Sequence, residues 1–127
     1  MTAEICVLRV QDRVRQDAAP VSAIYRDMGA GAAEQVIVRV LGELALTTAN
    51  MAGRVTAHDL GDLSRQLRRV EKMAEQLGLV SYVRVAADAR ALLDRGDGVA
   101  FAAVWARLLR VAERSLAADH DLMDQSV

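Results

Sequence analysis

Leu60, Leu63, Leu67, Val70, Ala74 and Leu77 recur at spacings of three and four, the period of a helix with one buried face. Three more segments repeat this pattern. From about Ala32 to Ala52, Val36, Val40, Leu44 and Met51 form a stripe, with Ile37 and Leu41 beside it. From about Leu79 to Asp94, Tyr82, Val85, Ala89 and Leu92 make one ridge, flanked by Leu79, Val83, Ala86 and Leu93. From about Val99 to Ala118 the apolar positions are Phe101, Val104, Leu108 and Val111, with Trp105 and Ala112 nearby.

The punctuation between these segments is short. Gly53 supplies a stop for the first, and Thr56 with Asp59 three residues later offers a capping-box variant for the second. Gly78 falls where a left-handed C-terminal cap belongs. In Asp94-Arg95-Gly96-Asp97-Gly98, Gly96 ends one helix and Asp97 caps the next. Upstream, a first helix is expected from about Thr2 to Asp17, ending ahead of Pro20. A short segment from Val21 to Met28 places Val21, Ile24 and Met28 on one face. The β-branched residues between Ile5 and Val10 have no partner strand, so helix is the better reading there.

Short links between amphipathic helices make sequence neighbours pack antiparallel. The expected fold is therefore all-α. It is an antiparallel four-helix bundle over residues 29–118, with helical segments over 1–28 and an acidic, frayed tail over 119–127. The whole chain of 127 residues is expected to form one domain.

Composition narrows the classes of function. At 53% hydrophobic and 26% charged residues, the chain is neither a disordered tail nor a collagen-like repeat. A net charge of −1 gives no global field toward nucleic acid or an acidic membrane. Cys6 is the only cysteine, which excludes an intrachain disulfide or a CxxC pair. No signal-peptide pattern opens the chain, and the longest uncharged run, Leu44 to Gly53, is too short to span a bilayer. The expectation is a soluble cytoplasmic protein that binds neither nucleic acid nor membrane.

Candidate chemistry is sparse. His58 lies next to a turn, and His120 sits in Asp119-His120-Asp121 on the acidic tail, which lacks the ligand count of a metal site. Ser22, Ser64, Ser81, Ser115 and Ser126 occupy no nucleophile elbow. Gly29-Ala30-Gly31 has neither the preceding strand nor the Lys-Ser/Thr of a phosphate loop. No enzyme, metal or cofactor is expected. The most informative polar feature is on the helix of Leu60 to Leu77. With its apolar stripe inward, Arg65, Arg68, Arg69 and Lys72 fall together on the outward face, diluted by Glu71 and Glu75.

The run from Gly61 to Leu79, GDLSRQLRRVEKMAEQLGL, resembles the phospho-accepting helix of histidine-containing phosphotransfer (HPt) domains. The stretch from Leu79 to Leu93, with Arg95-Gly96-Asp97, is similar to the helix and turn that follow in that family. The resemblance covers roughly residues 24 to 116, mainly as helix lengths and apolar pattern. In the family an exposed His is followed by x-Leu-Lys-Gly and, further on, by Leu-Gly. Aligning Leu77-Gly78 with that Leu-Gly places the acceptor position at Arg68. Val70 then fits the Leu position, while Glu71 and Lys72 replace the Lys and Gly. A guanidinium stays protonated and offers no lone pair, so this register accepts no phosphate.

The resemblance thus implies a degenerate, non-catalytic HPt-like bundle acting as an adaptor or modulator in a two-component phosphorelay. Its implied partners are a response-regulator receiver domain or a histidine kinase, met through Arg65, Arg68, Arg69 and Lys72. A second register, Ala57-His58-Asp59-Leu60-Gly61, places a phospho-acceptor at His58 and makes the protein an active phosphocarrier. A third reading is a structural bundle that self-associates through the small-residue ridges of Ala86, Ala89, Ala102 and Ala106. A homodimer is compatible with each.

Overall fold

A computed structural model describes the backbone of residues 14–125 and the side chains of residues 14–116. Five helices follow one another in this span: α1 (Ala19–Met28), α2 (Ala30–Thr56), α3 (Leu63–Gln76), α4 (Val80–Arg95) and α5 (Gly98–Gln125). The fold is all-helical among the described residues. α2 packs on α3, α3 on α4, α4 on α5, and α5 returns to α2, while α1 lies against α2 and α3.

The expected helix from Thr2 to Asp17 lies mostly outside the described residues, and its last four, 14–17, are not helical. They run instead across the turn between α3 and α4. The Asp17 N–H donates to the Gly78 carbonyl at 2.8 Å, and the Ser81 N–H donates to the Arg15 carbonyl at 3.2 Å. The Arg15 N–H in turn donates to Ser81 Oγ at 2.6 Å. This segment therefore satisfies one of the free N–H groups that open α4. Gly78 has φ +71°, and a Cβ there would run into the Asp17 carbonyl. Both the left-handed turn and the close approach require glycine.

Helix ends follow one pattern three times. Leu79 N–H reaches Ala74 C=O and Gly78 N–H reaches Glu75 C=O; Asp97 N–H reaches Leu92 C=O and Gly96 N–H reaches Leu93 C=O. These are Schellman closures with glycine in the left-handed position, as expected at Gly78 and Gly96. The third closure corrects the reading of Gly53. α2 continues through Gly53 to Thr56, and it ends where Asp59 N–H donates to Arg54 C=O and His58 N–H to Val55 C=O. The left-handed residue is His58, at φ +58°, the one non-glycine with positive φ among the described residues.

Two other expectations change and one holds. The Thr56 hydroxyl bonds back to the Ala52 carbonyl within α2, so no Thr56–Asp59 box opens α3, which begins at Leu63. Asp97 does cap α5: its carboxylate accepts from Ala100 N–H at 3.1 Å. α5 runs on to Gln125, past the expected end near Ala118.

The core collects Leu63, Leu67, Val70, Ala74 and Leu77 from α3 and its end, all essentially buried, with Tyr82, Val85, Ala86 and Ala89 from α4. Leu60 departs from the seam at 40% exposed, because it belongs to the α2–α3 turn, and Met73 joins the seam instead. On α2 the buried ridge is Ala33, Ile37, Leu44, Thr48 and Met51, while Val40 and Leu41 are only half-buried. Met28, expected inward on α1, is 51% exposed, and Tyr25 packs with Val21 and Ile24 in its place. Phe101 and Trp105 on α5 stack with ring centroids 5.9 Å apart.

Candidate functional site

α3 positions the basic face. Because its buried positions step by three and four, the remaining positions turn outward together. Arg65, Arg68, Arg69 and Lys72 are all exposed. Arg68, Arg69 and Lys72 make no ion pair or side-chain hydrogen bond among the described residues. Arg65 meets Asp62 across one turn at 3.6 Å, with both side chains well solvated, a contact of little consequence for stability.

The two glutamates expected to dilute this face part company. Glu71 leans toward α4, where its carboxylate accepts two hydrogen bonds from the Arg90 guanidinium, at 2.7 and 3.2 Å. The Glu71 side chain is only 12% exposed in this fork. Hydrogen bonding to Glu71, and then its charge, raise the Arg90 pKa above its ordinary value. A negative charge is thereby neutralised and drawn off the cationic face, while Glu75 stays exposed at its far end. Near the start of α3, the Ser64 hydroxyl donates to Asp94 at 3.0 Å and fixes the same antiparallel register.

Sequence reasoning missed Arg90. Its only signal would be the register that opposes 71 to 90, and that register is set by tertiary packing.

His58 stands apart from this face. It is exposed in the turn after α2, five residues ahead of α3, with its backbone committed to the left-handed closure. Ala86 and Ala89 are fully buried between α4 and its neighbours, so they offer no surface for self-association; Ala102 and Ala106 are exposed. Cys6 lies outside the described residues, as do the side chains of Asp119, His120 and Asp121.

Two shallow, mainly apolar grooves mark the ends of the α3–α4 pair. One, of about 330 Å³, lies beside Pro20, Gly78, Leu79, Val80 and Val83. The other, of about 190 Å³, lies between Leu60, Leu92, Leu93 and Phe101. Neither brings together a nucleophile and a base. α2 is also long and apolar enough to cross a membrane by length and composition, a measure that a core helix meets equally; Ile37, Leu44 and Met51 of this helix are core residues here. Compared with protein-family models, curated proteins and solved structures, the chain matches none.

Proposed function

We propose that α2 to α5 form an HPt-like four-helix bundle without an acceptor histidine, and that the protein works by binding rather than by catalysis. Its partner is a response-regulator receiver domain in a cytoplasmic phosphorelay. The observation that supports this reading most is the solvated face of Arg65, Arg68, Arg69 and Lys72, with Glu71 withdrawn to Arg90. Receiver domains of that signalling family present an acidic pocket. Arg68 enters it where a histidine would stand, and the neighbouring cations steer the encounter. Such a protein competes with a genuine phosphotransfer domain or tethers a receiver.

Calorimetric titration against receiver domains, at low and moderate salt, tests the proposal. Salt-sensitive binding to one or two receivers is expected, weakened about tenfold or more by Arg68→Glu through loss of a charge-assisted contact. Silence across the receivers, or an unchanged affinity in Arg68→Glu, overturns it.

A further inference from the structure

α2 carries a second apolar stripe that no other described residue covers. Opposite its core ridge, Val38 and Leu46 are 54% and 64% exposed. At about 100° per residue, Gly31, Val38, Gly42, Ala45, Ala49 and Gly53 fall within an arc of roughly 80° on the same side. All six are exposed and none is charged; the uncharged polar residues Gln35 and Thr56 are exposed in the same arc. Gly31, Gly42 and Gly53 stand eleven residues apart, so they line up along the helix. Each has open space where a Cβ would go. Glycine inside a helix is unfavourable relative to alanine, and no contact with another described residue offsets it at these positions.

The charges beside this stripe identify its occupant. Arg39 and Glu43 are exposed along the same edge of the arc, and neither forms an ion pair among the described residues. When a second copy of α2 lies antiparallel on the stripe, like edges meet. A register centred on Leu41 then sets Arg39 against the partner's Glu43, and Glu43 against the partner's Arg39. The same register brings Gly42 close to the partner's Gly42, where two backbones can approach, and seats Val38 against the partner's Ala45. A parallel copy would bring unlike edges together and leave both charges unpaired.

We propose that this face of α2 is an isologous, antiparallel interface between two copies of the chain. It is independent of receiver binding, which uses α3. In this register residues 30–52 overlap, a strip about 35 Å long and about 10 Å wide that buries on the order of 700 Å² in total, below the standard interface, so the dimer is weak.

Sedimentation velocity from about 1 µM to about 500 µM tests it, with a dissociation constant expected in the micromolar range. Gly42→Arg is expected to weaken association about tenfold or more, while far-UV circular dichroism holds, since arginine favours helix over glycine. Arg39→Glu and Glu43→Arg are each expected to weaken it several-fold, and the double exchange to restore it. A protein that stays monomeric throughout overturns the proposal, as does a dimer indifferent to Gly42→Arg. Monomers that co-sediment with phosphatidylcholine vesicles also overturn it and assign the stripe to lipid.

Discussion

The Tyr82 hydroxyl lies 2.7 Å from Thr48 Oγ1 inside the core, joining α4 to α2. The Thr48 hydroxyl already donates its proton to the Leu44 carbonyl at 2.7 Å, so Tyr82 is the donor of the pair. Thr48 is a polar residue in the middle of a helix. Bonding back to the preceding turn satisfies it, and its lone pair then satisfies the phenol.

Burial pushes the Tyr82 phenol up to about 12, against a smaller opposing effect of the Thr48 bond. The folded state therefore holds this proton more tightly than the unfolded state, whose phenol titrates near 10. The stability this contributes is whole below about pH 10 and is lost as the pH rises toward about 12, on the order of 2–3 kcal/mol. Urea unfolding at pH 7 to 12 checks this: Tyr82→Phe lowers stability at neutral pH by about 1 kcal/mol and flattens the alkaline slope relative to wild type. Parallel slopes in the two proteins would assign the alkaline loss to other groups.

At His58 the expected change has the opposite sign. The side chain is exposed, and the backbone occupies the left-handed region that costs a non-glycine residue about 1 kcal/mol or more. His58→Gly is expected to raise the stability of the fold by about 1 kcal/mol, read as a higher denaturation midpoint with an unchanged slope. A lower midpoint would mean that the imidazole makes a stabilising contact that outweighs the turn.

Gly78→Ala should be costly. A methyl group there strikes the Asp17 carbonyl and sits on a left-handed backbone, so residues 14–17 must lift from the α3–α4 turn. A loss of about 2 kcal/mol is expected, together with faster hydrogen exchange at the amides of Asp17 and Ser81. Retained protection at both amides would count against this docking.

Much of this could be read from the sequence where one local signal had no competitor. The α3 seam stood out because Leu63, Leu67, Val70, Ala74 and Leu77 share one face, and the outward basic residues follow from the same periodicity. Gly96 and Asp97 were legible because a left-handed residue followed by a capping carboxylate has a local chemical cause. Gly53 misled for a physical reason: glycine is tolerated inside a long, packed helix, and the role it was expected to fill passed to His58 five residues later. Glu71 and Arg90 were illegible because each is explained only by the other, on a facing helix, and the pairing of Thr48 with Tyr82 was illegible because it too crosses between helices.

The order in which the helices touch has a kinetic consequence. α1 meets α2, α2 meets α3, α3 meets α4 and α4 meets α5, each across a short turn. Chains that gather mostly local contacts lose little loop entropy before those contacts form, and helical proteins of this kind fold in microseconds to milliseconds. The return of α5 to α2 must enclose all of α3 and α4, and the docking of residues 14–17 on the α3–α4 turn must enclose α1, α2 and α3. These two closures are the non-local events, and substitutions at the α2–α5 seam or at the contact of residues 14–17 with the α3–α4 turn should alter the folding rate more than those at the short turns.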